Sequence, residues 1–284
     1  MNILVTGANG QLGNEMRRKA TESKNTYFFT DIEELDITNI DAVVKFVENN
    51  TIDIVVNCAA YTNVEKAEDD EQTAMLINCD AVENLAVACK LQNALLIHIS
   101  TDYVFNGKDC IPLTEDKPTA PIGAYGRTKL AGERAIQETG CRYMIFRTAW
   151  LYSEFGNNFV KTMMRLTSER DTLNVVFDQV GTPTYAADLA DLISNIIENK
   201  HLDNTGVYHF SNEGVCSWYD FAIEIAHIAG NNCNIHPCHS NEFPSKVERP
   251  NYSVLDKSKV KETFAYVIPH WKTSLRSCIE RIIK

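Results

Sequence analysis

Tyr125 and Lys129 stand four residues apart in Tyr125-Gly-Arg-Thr-Lys129. On a helix that spacing puts both on one face, one turn apart. An ammonium beside a phenol favours the phenolate, so the pair is expected to be a proton donor with a lowered pKa. Ser100 and Thr101 lie 24 to 25 residues earlier, after the apolar run Ala94-Leu-Leu-Ile-His-Ile99. That run reads as a strand, and ligands of open α/β sheets sit at the carboxyl ends of strands. A Thr101 hydroxyl there can donate to a developing oxyanion. A third group opens the chain: Gly7-Ala-Asn-Gly10-Gln-Leu-Gly13 follows the short apolar stretch Asn2-Ile-Leu-Val-Thr6. Gly7 permits a tight turn, Gly10 lets the backbone approach a pyrophosphate, and Gly13 lets the next helix pack closely. That helix, expected over residues 11–20, aims its N-terminus at the phosphates with Gln11 and Leu12 in its first turn. A hydroxyl at a strand end, a Tyr–Lys pair and a dinucleotide turn together describe hydride transfer.

The elements that must position these groups alternate. Residues 26–30 form a second strand ending at Asp31, 18 positions after Gly13. An acid near that place holds a ribose 2′-hydroxyl, whereas an Arg would suit a 2′-phosphate. No Lys or Arg follows until Lys45, which leans toward NADH over NADPH. Asp36 and Ile37 lie where an adenine could rest. Residues 53–57 form a third strand, followed by Cys58, Ala59, Ala60, Tyr61 and Thr62, mostly small residues against which a cofactor can lie. Residues 64–70 read as a charged loop or short helix. Residues 74–91 carry Met75, Cys79, Val82, Leu85, Ala86 and Cys89 at helical spacing, which is a core stripe. Asn78 interrupts it, as a satisfied buried amide or as a support to the site.

Strands at 94–99 and 141–147 and helices at 41–49 and 125–138 complete a pattern of alternating strand and helix. That predicts a Rossmann-type, doubly wound parallel sheet. Residues 1–150 are assigned to this dinucleotide-binding domain, with the strand and helix near 172–198 returning to it. Residues 151–284 form mainly a smaller C-terminal α/β substrate domain. Within it, residues 157–167, 186–198, 217–229 and 271–283 read as helices, 172–177 and 206–210 as strands, and 178–184 as a polar loop.

Composition narrows the function. The net charge of −11 argues against nucleic acid as a partner, since phosphate contacts need a basic surface. No apolar run approaches the ~20 residues needed to cross a bilayer. Met1 to Val5 runs straight into the glycine turn, without the look of a signal peptide. The nine cysteines are scattered, with Cys58, Cys79 and Cys89 expected as small buried hydrophobes in a reducing, cytoplasmic setting. Cys233, His236, Cys238 and His239 cluster, but without paired C-x₂-C spacing, so they read as strand and turn and no metal site is assigned.

The glycine turn, Ser100-Thr-Asp-Tyr-Val-Phe105 and Tyr125-x-x-x-Lys129 resemble the extended short-chain dehydrogenase/reductase superfamily. More narrowly, Asn57-Cys-Ala-Ala-Tyr-Thr-Asn-Val-Glu-Lys-Ala-Glu68, Phe146-Arg-Thr-Ala-Trp-Leu-Tyr152, Gly156-Asn-Asn-Phe159 and Asp178-Gln-Val-Gly-Thr-Pro-Thr184 resemble the dTDP-4-dehydrorhamnose reductase family over the whole chain. The resemblance implies reduction of a dTDP-4-keto sugar by NADPH or NADH. It implies Thr101, Tyr125 and Lys129 as the catalytic trio. It implies Thr62, Val64, Asp102, Tyr103 and Trp150 on the substrate side, and Arg249 in a loop reaching the diphosphate. Lys246 is a further cation for the nucleotide end. Some relatives dimerise around Mg²⁺; Glu15 occupies one such position, but the paired carboxylates expected around Asp188 and Asp191 are missing, so monomer and homodimer both stand. Two other functions compete. A nucleotide-sugar epimerase or dehydratase would keep NAD⁺ bound, and a dehydratase would need an Asp-Glu pair where Asp102-Tyr103 follows Thr101. A regulatory subunit of the methionine adenosyltransferase kind would bind a partner enzyme instead of turning over.

Overall fold

A computed structural model of the chain describes residues 1–243 and 245–284. The first half alternates strands with helical segments. It runs β1 (Asn2–Thr6), α1 (Gln11–Ala20), β2 (Thr26–Thr30), α2 (Ile40–Asn49), β3 (Ile54–Asn57), α3 (Val64–Asp69), α4 (Glu71–Met75), α5 (Ala81–Gln92), β4 (Leu95–Thr101), α6 (Ala124–Thr139) and β5 (Arg142–Thr148). The second half holds β6 (Leu151–Tyr152), α7 (Phe159–Glu169), β7 (Thr172–Val176), β8 (Val180–Gly181), β9 (Thr184–Tyr185), α8 (Ala186–Glu198) and β10 (Gly206–His209). It ends with β11 (Cys216–Ser217), α9 (Trp218–Ala229), β12 (Asn234–Cys238), α10 (Ser258–Phe264) and α11 (Trp271–Ile283).

Six strands form one parallel sheet in the order β10-β5-β4-β3-β1-β2. The chain leaves β1 toward β2, then returns to the other side of β1 with β3. The strand order therefore reverses between β1 and β3, and a crevice opens at their carboxyl ends. Side chains alternate across the sheet. Ile3, Val5, Ile54 and Val56 pack on α1, α8 and α10, whereas Leu4, Val55, Leu96 and Ile145 pack on α2, α5 and α6. Both faces are thus covered, the usual condition of a parallel sheet, and each Val, Leu or Ile fully buried contributes ~1.5–3 kcal/mol. A separate apolar cluster, including Tyr152, Val160, Phe221, Trp271 and Leu275, joins α7, α9 and α11.

Four expectations need correction. The strand Thr172–Val176 does not return to the main sheet; it pairs with β12. The edge beside β5 is taken by β10, and the alternating exposure of β7 suits a ribbon with one wet face. The helix Ala186–Glu198 does return, burying Leu189, Leu192, Ile193 and Ile196 beside α1. The polar stretch 178–184 contains β8 and the start of β9, which pair with β11 and β6. The long helix expected over 74–91 is interrupted by a π-helical turn, Leu76–Asp80. Cys89 is buried, but Cys58 and Cys79 are only partly covered.

One buried ion pair fixes α6 on the sheet. Glu133 accepts from Arg147 Nε at 3.0 and 3.2 Å and from Nη2 at 2.7 Å, and from Ser100 Oγ at 2.5 Å. Both charged side chains are at most 5% exposed. Breaking such a pair leaves an uncompensated buried charge, at a cost of ~3–5 kcal/mol. Arg147→Met is expected to lower stability by about that amount in urea unfolding, and adding Glu133→Leu to recover much of the loss. A single variant as stable as the parent would show that the pair does not hold the helix.

Candidate active site

The carboxyl ends of β1, β3, β4 and β5 open onto one continuous cleft of about 970 Å³. The glycine turn forms its floor. Gly7 has φ +60°, and a Cβ there would lie 2.6 Å from Ala59 N. A Cβ on Gly13 would lie 2.4 Å from Gly7 O, so Gly13 packs α1 onto the turn and does not face the cleft. Gly7, Gly10, Gln11 and Leu12 line the cleft, with Asp31, Asp36, Ile37, Ala59 and Ala60. The Asp31 carboxylate accepts the Asn9 N–H at 3.1 Å and the Ile32 N–H at 3.0 Å, which sets it at the rim beside the turn. A narrow backbone cradle at a helix N-terminus with a carboxylate beyond it fits a dinucleotide.

Tyr61 departs from the expectation. Its ring packs with Ala67, Ala74, Ala124 and Tyr125 rather than on the cleft wall. Its backbone is clamped by Asn78. Asn78 Oδ1 accepts the Tyr61 N–H at 2.9 Å, and Nδ2 donates to Tyr61 O and Thr128 Oγ1, each at 3.1 Å. Asn78 is therefore both a satisfied buried amide and a support for the loop after β3. The π-helical turn widens the helix at that point.

Thr101, Asp102, Tyr103, Tyr125 and Lys129 share the wall above the cradle. The Thr101 hydroxyl donates to Asp102 Oδ1 at 3.0 Å and faces the Tyr125 phenol. Tyr103 meets the Tyr125 ring edge-on, with centroids 5.5 Å apart. Burial pushes the Tyr125 phenol well above its ordinary range, and Thr101 offsets this only in part. This corrects the expected lowering by Lys129. The lysine is buried beneath the wall, donating to Ile99 O at 2.7 Å and meeting His98 Nε2 at 3.3 Å. Burial brings its pKa down to about 8. Asp102 is raised to about 7, again by burial, and its Oδ2 is enclosed without a hydrogen-bond partner.

The far end of the cleft is aromatic. Trp150 stacks on Trp218 with centroids 3.6 Å apart and planes 12° from parallel, and Trp150 holds φ +50°. A positive φ on so large a residue is strain of the kind that collects at functional sites. Ser217 and Asp220 form a capping box that starts α9 and so fixes Trp218 in its first turn. Thr62, Val64 and Arg249 complete that end. Arg249 is 3.9 Å from Glu65, a loose pairing of half-exposed groups. Lys246 instead pairs with Asp69 on the surface at 3.2 Å, away from the cleft. Sequence reasoning missed Trp218, Phe159 and Asn158, which also line it. Trp218 directly after a capping Ser was the available signal for the first.

Glu15 lies beside Arg18 at 3.1 Å and against Glu154, and burial raises its pKa to about 8. Asp188 accepts from Asn212 and Ser274, and Asp191 from Lys19 and Tyr266. Among the described residues no group of three His, Cys, Asp or Glu is arranged to hold a metal.

Known proteins agree over the whole length. A family model described as the RmlD substrate binding domain matches residues 1–283. The dTDP-4-dehydrorhamnose reductase of Escherichia coli K12 is 40% identical over 297 aligned residues, 99% of this chain and 98% of its own. The crystal structure of a dTDP-4-dehydrorhamnose reductase from Clostridium acetobutylicum matches with a TM-score of 0.96 at 43% identity, covering 100% of both chains. That of Bacillus anthracis, solved in complex with NADP, matches with a TM-score of 0.95 at 40% identity over 99% of each. With full-length identity at this level, and a glycine cradle facing a Thr–Tyr–Lys wall, the chain belongs to the dTDP-4-dehydrorhamnose reductase family.

Proposed function

We propose that this protein reduces dTDP-4-dehydro-L-rhamnose to dTDP-L-rhamnose with NAD(P)H. The observation that carries the reading is the junction of the dinucleotide cradle with the Thr101–Tyr125 wall in one cleft that ends in a Trp pair and an Arg. The coenzyme supplies a hydride to C4 of the keto sugar. Tyr125 donates the proton that neutralises O4, and its raised pKa keeps that proton in place at neutral pH. The Thr101 hydroxyl, turning its one hydrogen from Asp102 to the same oxygen, donates a second hydrogen bond typically worth ~3–4 kcal/mol. Lys129 supplies the positive charge that the phenolate needs once its proton has left. Asp102, Tyr103, Thr62, Val64 and Trp150 surround the sugar ring. Arg249 answers the diphosphate.

Gly7, Gly10, Gln11 and Leu12 hold the pyrophosphate, and Ala59 and Ala60 flank the nicotinamide half. Asp31 binds the adenosine ribose, with Asp36 and Ile37 near the adenine. A carboxylate beside the 2′ position disfavours a phosphate there, so NADH is the preferred coenzyme of this chain, although a relative was solved with NADP. Residues 1–150 act as the coenzyme half, with α8 and β10 added, and the rest as the sugar half. The protein works in the cytoplasm, as monomer or homodimer, without a bound metal.

The deciding assay follows coenzyme oxidation with dTDP-4-dehydro-L-rhamnose, using NADH and NADPH in parallel. Turnover is expected with both. Folded, coenzyme-binding protein that turns over with neither would sink the assignment. The ratio of kcat/KM is expected to favour NADH by about tenfold, about 1.4 kcal/mol, and Asp31→Ala to bring it near unity. An unchanged ratio would remove Asp31 from coenzyme choice. Tyr125→Phe is expected to cut kcat by ~100-fold or more with coenzyme affinity within about twofold. Full activity in that variant would assign the proton donor elsewhere.

A further inference from the structure

Behind the catalytic wall runs a buried hydrogen-bonded line that the reduction itself does not use. Thr6 Oγ1 donates to Asn57 Oδ1 at 2.7 Å, and the Ala59 N–H donates to the same oxygen at 3.1 Å. Two donors on one amide oxygen fix the orientation of the Asn57 side chain. Its Nδ2 therefore faces His98 Nδ1, at 3.0 Å. An amide NH₂ only donates, so His98 Nδ1 must accept and carries no hydrogen. His98 is fully buried, and desolvation holds its pKa well below the ordinary value, so the ring is neutral. A neutral imidazole with a bare Nδ1 keeps its hydrogen on Nε2.

That N–H points at Lys129 Nζ, 3.3 Å away. An ammonium is donor-only and would oppose it hydrogen to hydrogen. A neutral amine meets both partners: its lone pair accepts from His98 Nε2–H while an N–H donates to Ile99 O at 2.7 Å. The other charged group acting on Lys129 is Glu133, one turn along α6, already tied to Arg147 and Ser100. β1 and β3 contribute only the uncharged Thr6 and Asn57 to the line.

We infer that His98 is a positioning residue that holds Lys129 as a neutral amine in the coenzyme-free protein at alkaline pH, and that coenzyme binding there draws the lysine away as an ammonium, taking up one proton from solvent. The inference rests on the coenzyme reading above. At alkaline pH it makes the positive charge on Lys129 conditional on an occupied cleft. The sign is definite. Lys129 is depressed to about 8, so above that pH the free protein has lost the proton that the complex requires. Coenzyme affinity is expected to fall by up to about tenfold per pH unit above about pH 8, and to be nearly flat below about pH 7.

The test is calorimetric titration of the protein with NADH in buffers of different ionisation enthalpy. Uptake is expected to be small at about pH 6.5 and to approach one proton at about pH 9. His98→Gln places a carbonyl oxygen where an ammonium can donate, so its uptake at about pH 9 should drop by more than half in protein whose melting transition remains cooperative. Binding of NADH without proton uptake by the parent, or a folded His98→Gln with the parent profile, would overturn the inference. Imidazole ¹⁵N shifts of the parent give an answer that needs neither variant nor coenzyme. His98 should show a protonated Nε2 and a bare Nδ1, and the opposite tautomer overturns the arrangement. Failure to bind NADH or NADPH at all would instead refute the coenzyme reading, and the ¹⁵N result would still decide the His98 geometry.

Discussion

Glu133 is the constraint on which the site's geometry depends. Its carboxylate reaches from α6 to Arg147 on β5 and Ser100 on β4, tying one helix to two adjacent strands. Tyr125 and Lys129 are carried on the same helix, and Thr101 follows Ser100. Fixing α6 in rotation and height therefore fixes the phenol against the hydroxyl. A buried ion pair is an expensive way to join elements that apolar packing could also join. What it adds is direction. Apolar contacts tolerate small slips, whereas a forked guanidinium on a carboxylate does not.

The parallel sheet supplies the second half of the geometry. Because β1, β3, β4 and β5 run the same way, the glycine turn, the loop at 58–62, Thr101 and Trp150 all emerge on one edge. Residues far apart in sequence thus meet without any long connection crossing the core. The walls are then tightened from behind: Asn78 clamps Tyr61, while Ser153 and Asn158 donate to the side-chain oxygen of Gln11, the first residue of α1. The glycine turn and the segment at 153–158 are linked through Gln11.

Most of the first half was legible because its signals are local. A glycine turn after an apolar run, or a Tyr and a Lys one helical turn apart, carries its geometry in its own spacing. The parts that were not legible depend on pairings across the fold. Lys129 was expected to face Tyr125, but its partners are His98 and Ile99, which the spacing in α6 does not reveal. The state of His98 depends in turn on an amide 41 residues away in β3. The same is true of β7. Its alternation is visible in the sequence, but whether it joins the large sheet depends on β10 having taken the edge. Tyr61 and Lys246 were assigned by neighbourhood in the sequence, and each side chain found a nearer partner than the cleft.

The stacked pair Trp150 and Trp218 has an optical consequence. The chain has three tryptophans, and two of them form one wall of the cleft while Trp271 is buried beneath α9. Two of the three indoles that absorb in the near ultraviolet therefore line the cleft. Any group that enters the cleft meets these two indoles, so the chain carries an intrinsic chromophore in its own cleft wall.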